Sequence, residues 1–260
     1  MGWFLAGSGS SGSFWLLLAG VFTLSGSSAA LNQFQERHLD ALMERTRNRP
    51  LPARQLTAGV AILVSIMLGI TGLSLLLLTG LLPALLGLFT LTLYNLLYTP
   101  LKRITSFALL PGGLVGAIPP MIGYTAAGGT PGDPIILFVC ALMFLWQMPH
   151  FWLLLIRYGK EYQEAGFRTV LSYMNEKQVR RMLFFWMCTS SLFLLSYPIF
   201  GISLPLWLAL ILIGANIMVI AVYYLLLFKW SDPKHHRLLF ILSNVFLIGV
   251  LLTLILSTLL

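Results

Sequence analysis

Charged side chains are scarce in this sequence. Asp, Glu, Lys and Arg make up 9% of its 260 residues, and hydrophobic residues make up 58%. A soluble domain carries about 25% charged residues, so this composition excludes an ordinary soluble protein and predicts an integral membrane protein. Cysteine is also rare. Cys140 and Cys188 fall within apolar runs and follow no metal or disulfide spacing, so we interpret both as packing residues.

The apolar residues fall into runs long enough to cross a bilayer, which takes about 20 residues. Eight runs qualify: residues 12 to 31, 56 to 78, 81 to 98, 106 to 126, 134 to 156, 182 to 200, 204 to 228 and 238 to 260. The fourth run contains Pro111, Pro119 and Pro120, so we expect a broken helix that lines a cavity. The sequence therefore predicts an all-α, multi-pass transmembrane helix bundle, with residues 1 to 260 forming a single domain.

The basic residues predict the orientation of this bundle. All 16 Lys and Arg lie within residues 37 to 54, 102 to 103, 157 to 181 and 229 to 237. Eight spans place these four segments on one side, and Lys and Arg collect in cytoplasmic loops. We therefore expect a bacterial inner membrane protein whose charged side is cytoplasmic. Topology accounts for the net charge of +8, so we expect no nucleic-acid partner.

The most polar segment is "LNQFQERHLDALMERTRNRP", residues 31 to 50, directly after the first run. If the helix continues, Asn32, Glu36 and Asp40 share one face, since they recur every four residues. Amide and carboxylate oxygens can hold Mg²⁺ while the ion keeps positions for water and phosphate. Nearby cations can clamp phosphate: Arg45, Arg47, Arg49, Lys102 and Arg103. The alternative is a solvated loop whose acids pair with its arginines.

This segment resembles the first acidic signature of the UbiA superfamily of intramembrane prenyltransferases, and in particular its heme-farnesylating branch. "YTPLKRIT", "GAIPPMIGY" and "PHFW" follow in the family's order. The resemblance implies nine helices around a lipid-open cavity, with two acidic motifs under a cytoplasmic cap. The chain would provide eight of the nine. Because residues 1 to 6 look like the end of an apolar span, we expect the first helix to be the missing one; an amino terminus outside the membrane is the alternative.

The resemblance also implies roles for individual residues. Glu36 stands where the family has aspartate, His38 occupies a usually acidic position, and "KEY" at residues 160 to 162 replaces a pair of aspartates. The implied catalytic and metal-binding residues are Asn32, Glu36, Asp40 and Glu161. The implied diphosphate-binding residues are Arg45, Arg49, Lys102, Arg103 and Lys160.

His150 is a further candidate, because it follows Pro149 within the fifth predicted span. An ionisable residue within a membrane helix is a functional hypothesis by default. The resemblance implies that His150 contacts heme, since neutral imidazole is a common ligand of heme iron. The alternative is a structural histidine that donates to a carbonyl freed by Pro149.

The implied activity is Mg²⁺-dependent transfer of a farnesyl group from farnesyl diphosphate to the vinyl group of heme b, giving heme O for terminal oxidases. Membrane lipid would surround both substrates, and heme A synthase or terminal-oxidase assembly proteins are candidate partners. Two alternatives remain. One is a UbiA-type transferase with another acceptor. The other is a degenerate homologue that binds heme or lipid without turnover, suggested by His38, Lys160 and the expected absence of the first helix.

Overall fold

The computed structural model describes residues 1–7, 11–230 and 234–258, and this part of the chain contains helices and no strand. A short helix precedes eight long ones: α1 Gly2–Ala6, α2 Ser11–Asp40, α3 Ala58–Thr79, α4 Leu81–Ile104, α5 Ser106–Ala126, α6 Pro134–Glu164, α7 Glu176–Leu195, α8 Leu206–Lys229 and α9 His235–Leu256. The predicted all-α bundle is confirmed.

Seven of the long helices are long and apolar enough to cross a membrane, which makes this a multi-pass integral membrane protein. The remaining long helix, α7, occupies the sixth predicted span. Its first turns carry Glu176, Lys177, Arg180 and Arg181, so its average hydropathy is lower. It packs against α6 and α8 within the bundle.

Several helices extend beyond the predicted spans. The first and fifth runs were predicted to end at residues 31 and 156, whereas α2 continues to Asp40 and α6 to Glu164. Backbone hydrogen bonding carries each helix past its apolar segment, so both acidic motifs lie on helix ends. Residues 259 and 260 of the last predicted span lie outside the described residues.

The fourth predicted span is broken, as its prolines indicate. Its helical segments Leu109–Ala117 and Pro119–Ala126 meet at Ile118. Pro119 and Pro120, which directly follow Ile118, each lack a backbone N–H donor and therefore disfavour a continuous helix. The preceding turn, Ser106–Ala108, begins at the same end of the bundle as the polar motifs.

Small residues allow α2 and α3 to pack closely. A Cβ atom at Gly72 would lie 2.8 Å from the backbone nitrogen of Leu24. The Ser27 hydroxyl donates to the Ser65 carbonyl across the same contact, at 2.8 Å. Close packing through small residues, with hydrogen bonds between helices, is a usual device of membrane bundles. It holds α2 in place, so the position of its polar end is well defined.

The two ends of the bundle differ in charge. At one end, the Tyr124 hydroxyl donates to Asp133 Oδ2 at 2.8 Å, beside the turn before α6. The other end, called the charged face below, comprises the ends of α2, α4, α6 and α8, the starts of α3, α7 and α9, and residues 41 to 57 and 165 to 175. The acidic motifs and the cationic residues predicted to bind phosphate belong to the charged face.

Candidate active site

The last turns of α2 present three polar side chains on one buried face. Asn32, Glu36 and Asp40 retain 7%, 4% and 1% of their surface. His38, on the same helix, is exposed. The predicted shared face is therefore present, and the unusual histidine lies outside it.

Glu36 pairs with a cation from α4. Lys102 Nζ donates to Glu36 Oε2 at 2.6 Å, and Asn32 Nδ2 donates to the same oxygen at 3.1 Å. Asn32 Nδ2 also donates to Thr99 Oγ1 at 3.1 Å, and that hydroxyl donates to the Tyr94 carbonyl at 2.9 Å. Tyr94 lies in a π-helical segment of α4, Leu93–Tyr98. Thus α4 supplies both a cation and a hydroxyl to the α2 motif.

Asp40 connects the α2 motif to the following loop. Arg49 donates to Asp40 Oδ2 at 2.9 Å, and the Thr46 hydroxyl donates to the Asp40 carbonyl at 2.8 Å. These bonds fold residues 41 to 57 back over the end of α2. Asp40 and Arg49 thus pair, as in the alternative of a solvated loop, but Asp40 is buried.

Two loops, residues 41 to 57 and 165 to 175, form a cap over these buried carboxylates and join them to α6. Met43 of the first loop packs with Phe167 and Ala165 of the second. Arg45 donates to the Tyr162 hydroxyl, and its guanidinium lies 4.8 Å from the centre of that ring. The α2 motif and the end of α6 therefore share one enclosed region.

Two adjoining cavities lie beneath this cap. The inner cavity, about 170 Å³, is lined by Tyr98, Lys102, Tyr162 and Phe167, among other residues. Lys102 Nζ lies 5.2 Å from the Tyr98 ring centre and 5.8 Å from that of Phe167. The apolar cavity, about 470 Å³, is lined mainly by hydrophobic side chains of α5, α6 and α7. The two cavities share five lining residues: Thr105, Ser106, Leu109, Arg168 and Val170.

The second predicted motif divides between two faces of α6. Glu161 Oε2 is buried without a hydrogen-bond partner, and Tyr162 lines the inner cavity. Lys160 lines a separate cavity instead, with Arg157 and Arg180. Residues two apart on a helix differ by about 200°, so Lys160 and Tyr162 point to opposite sides. The structure therefore does not bring Lys160 to the predicted diphosphate site.

Arg103 also lies apart from the buried carboxylates. It is exposed, and its guanidinium donates to the Gln35 carbonyl at 2.5 Å. It joins α4 to α2 at the edge of the cluster. Of the five predicted diphosphate-binding residues, Lys102 and Arg49 contact the carboxylates, and Arg45 lies in the cap above them.

His150 lies on α6, and its ring packs against α9. Its ring centre is 4.6 Å from that of Phe240 and 5.3 Å from that of Trp146. Its Nδ1 is buried without a hydrogen-bond partner, so this atom does not donate to a carbonyl near Pro149. His150 is not among the residues lining the inner or apolar cavity.

Two residues of this site were not among the predicted site residues. Thr99 contacts Asn32, and Tyr162 accepts from Arg45. The sequence did contain signals for both. Thr99 precedes Lys102 by three residues, a spacing that places side chains on one helix face. Tyr162 directly follows Glu161 in the second motif.

The donor atoms available here suit a hard cation. Within residues 1–7, 11–230 and 234–258, no three His, Cys, Asp or Glu side chains form a metal-binding group. Two carboxylate oxygens are nevertheless buried without partners, Glu36 Oε1 and Glu161 Oε2. Oxygen donors are the ligands that Mg²⁺ prefers, and Mg²⁺ commonly takes one or two carboxylates plus substrate phosphate. These two oxygens are therefore candidate donors to such an ion.

The sequence matches the profile of the UbiA prenyltransferase family over residues 1–251. It is 42% identical over 191 residues to the protoheme IX farnesyltransferase of Geobacter sulfurreducens, covering 74% of this chain and 71% of that protein. Identity to the protein of the same name from Sorangium cellulosum is 37% over 238 residues, 89% of this chain and 82% of the relative. For the Nitratidesulfovibrio vulgaris protein of that name the match is 40% over 181 residues, 69% of this chain but 63% of the relative.

Two solved structures share the fold. A UbiA homolog from Aeropyrum pernix K1, without ligands, superposes with a TM-score of 0.75 at 17% identity, covering 96% of this chain and 93% of that one. A UbiA homolog from Archaeoglobus fulgidus bound to GPP and Mg²⁺ has a TM-score of 0.69 at 13% identity, covering 97% and 95%. These likenesses show the shared architecture.

Proposed function

Because the chain belongs to the UbiA prenyltransferase family, we propose that it transfers a farnesyl group from farnesyl diphosphate to the vinyl group of heme b, forming heme O. The relatives named protoheme IX farnesyltransferase, at 37 to 42% identity, support this choice of donor and acceptor. The observation that carries the proposal is the buried cluster of Asn32, Glu36 and Asp40 with Lys102 and Arg49, enclosed by the cap.

The cluster is suited to a metal diphosphate because it combines acids with cations. Glu36 and Glu161 each offer a buried, unpartnered oxygen, and Asn32 and Asp40 lie on the same face of α2 as Glu36. We propose that these four residues hold Mg²⁺. When bound, Mg²⁺ would supply positive charge against the diphosphate oxygens. The UbiA homolog from Archaeoglobus fulgidus, which shares this fold, was solved with such a pair of ligands, GPP and Mg²⁺.

The cations would bind the leaving group. We assign diphosphate contacts to Lys102, Arg49 and Arg45, the three predicted cations that lie within the cluster or its cap. As the bond between the allylic carbon and oxygen breaks, its electron pair leaves with the diphosphate, and fixed positive charge stabilises the anion that develops. Arg103 and Lys160 lie outside this group, so we do not assign them diphosphate contacts.

The apolar cavity would hold the hydrophobic parts of the substrates. Met148, Trp152 and Trp186 are among its lining residues, and it adjoins the inner cavity through shared residues. There the vinyl π electrons form a carbon–carbon bond with the allylic carbon, and water then adds to the cationic vinyl carbon and loses a proton. The mainly hydrophobic walls and the cap above would keep water from the allylic cation until this bond has formed.

His150 stays a proposed heme contact. Its buried, unpartnered Nδ1 supports a role in binding, because a buried polar atom without a partner is costly. Its ring packs against those of Trp146 and Phe240. Replacing His150 with Phe should weaken heme b binding, measured by the Soret absorbance, while farnesyl diphosphate binding is unchanged.

The bundle's orientation follows from its charged face. We propose that this face is cytoplasmic in a bacterial inner membrane, because Lys and Arg collect on that side. Farnesyl diphosphate would then reach the cap from the cytoplasm, and membrane lipid would surround the apolar cavity. Heme A synthase or terminal-oxidase assembly proteins are the proposed recipients of the product.

The test is an assay of membranes that contain the protein, supplied with farnesyl diphosphate, heme b and Mg²⁺. We expect heme O to form and to disappear when a chelator removes the metal. Two other results would contradict the proposal in different ways. Prenylation of another acceptor would favour a different UbiA-type transferase, and heme binding without any product would favour a homologue without turnover.

A further inference from the structure

A third cavity opens on the charged face between α6, α7 and α9, and it shares one lining residue, Met174, with the apolar cavity. Its volume is about 970 Å³, and it is called the basic cavity below. Five lining residues are Lys or Arg: Arg157, Lys160, Arg180, Lys234 and Arg237. Glu176 is the one acid among the described lining residues, and it pairs with Arg180.

Three of these cations have no carboxylate partner among residues 1–7, 11–230 and 234–258. Among the described residues, none of Arg157, Lys160 and Arg237 forms a salt bridge, although all three line the same space. All three are exposed to solvent. Like charges gathered without counter-charges repel one another, so an anion bound among them would be stabilised.

The surrounding helices add to this positive potential. The amino-terminal ends of α7 and α9 both border the basic cavity, since Glu176 and His236 line it. Each helix amino terminus carries a partial positive charge and free backbone N–H groups. The Arg180 Nε is also buried without a partner, although its other nitrogens bond to Glu176 and the Leu227 carbonyl.

The remaining lining is apolar. Ile156, Leu171, Met174 and Val179 line the same cavity. Exposed aromatic residues, Tyr173 and Trp230, stand near the start of α7 and the end of α8. Such residues mark the membrane–water interface. An anion that carries hydrocarbon chains matches this combination better than a free anion does.

We propose that the basic cavity binds the phosphate headgroup of an anionic phospholipid from the surrounding membrane. Basic pockets between transmembrane helices on the cytoplasmic side bind such headgroups in other membrane proteins. The phosphate would lie among Arg157, Lys160 and Arg237, and the acyl chains would follow the apolar lining. The site is on the side of α6 away from Tyr162 and the inner cavity, so this proposal does not depend on the prenyltransferase proposal.

The experiment compares a double variant, Arg157→Gln with Arg237→Gln, with wild type in nanodiscs. Discs contain phosphatidylcholine alone or with phosphatidylglycerol of the same acyl chains. Native mass spectrometry measures the phosphatidylglycerol that stays bound, and intrinsic tryptophan fluorescence measures Tm. We expect phosphatidylglycerol to bind wild type and raise its Tm. Affinity in the double variant should fall about 25-fold, about fivefold for each cation removed.

A matched control removes the same charge elsewhere on the charged face. Lys177→Gln with Arg181→Gln changes two exposed cations of α7 that do not line the basic cavity. This variant should keep the affinity and the Tm response of wild type. An equal loss in both double variants would overturn the proposal, because it would indicate general surface attraction.

Two further measurements distinguish a phospholipid from two other candidate ligands, inorganic phosphate and heme b. Inorganic phosphate alone should give little stabilisation, and stabilisation equal to that by phosphatidylglycerol would show a free-anion site instead. Heme b binding, measured by the Soret absorbance, should be the same in wild type and the Arg157/Arg237 variant. A loss of heme binding with an unchanged lipid response would overturn the lipid assignment and give the cavity to the heme carboxylates.

Discussion

Replacing Glu36 with Gln removes the negative charge that the buried cluster holds opposite Lys102. The carboxylate accepts from Lys102 Nζ at 2.6 Å, and the two side chains retain 5% and 19% of their surface. A hydrogen bond to a charged group contributes about 1.5–3 kcal/mol. We expect the free energy of unfolding to fall by about 2 kcal/mol. This is less than the ~3–5 kcal/mol lost when a fully buried ion pair is broken, because Gln keeps a hydrogen-bond acceptor and Lys102 retains some exposure.

Turnover should fall further than stability. Losing one preorganised charge that stabilises a developing anion costs about 10²–10³ in kcat, and Glu36 is proposed to hold the metal opposite that anion. The assay is heme O formation in nanodiscs, normalised to folded protein measured by tryptophan fluorescence. Raising Mg²⁺ should restore activity only in part, because a ligand is missing.

Glu44→Gln is the matched control for this prediction. Glu44 and Arg47 form an exposed pair at 3.9 Å, with 79% and 60% of their side-chain surface accessible. Exposed pairs contribute about 0–1 kcal/mol, so neither turnover nor Tm should change measurably. The reasoning about Glu36 is refuted if its Gln variant keeps wild-type turnover, or if the control variant loses as much.

Three smaller perturbations test other parts of the structure. Thr99→Val removes the acceptor of the Asn32 amide with little change of shape. We expect kcat to fall about five- to tenfold, the equivalent of one buried hydrogen bond. An unchanged kcat would contradict a role for Thr99 in positioning Asn32. Gly72→Ala places a Cβ 2.8 Å from a backbone nitrogen of α2. It should lower the free energy of unfolding, measured by thermal unfolding, by about 1–3 kcal/mol. Its control is Gly214→Ala, where nothing lies within 4 Å of the added Cβ, and this variant should lose no measurable stability. His38→Asp restores a usual acid at an exposed position, so Mg²⁺-dependent turnover should stay at the wild-type level; a clear increase would show that residue 38 contributes to metal binding.

Much of the fold was predictable because hydrophobicity in a membrane is a local signal. Each predicted run overlaps one of the long helices, and the proline-rich run is broken at Ile118. Helix ends were less predictable, because α2 and α6 continue into polar sequence where a search for apolar runs stops. Their ends nevertheless carry Asp40 and Glu161.

The site was predictable where periodicity governs it and less so where tertiary contacts do. A four-residue spacing placed Asn32, Glu36 and Asp40 on one face, which the structure shows buried. Grouping Lys160 with Glu161 followed the resemblance to the family's second acidic motif, but neighbouring residues on a helix point about 100° apart. Lys160 therefore lines the basic cavity. The pairing of Glu36 with Lys102 joins residues 66 positions apart, which no local pattern specifies.

The central claim is that the α2 and α6 acids hold a divalent cation against the diphosphate. The most direct measurement is an experimental structure with Mn²⁺ and a farnesyl thiodiphosphate that does not react, with the metal located by anomalous scattering. We predict one or more Mn²⁺ peaks within coordination distance of Glu36 and Glu161, with the diphosphate beside Lys102 and Arg49. Mn²⁺ bound elsewhere, or diphosphate seated in the basic cavity, would contradict the account.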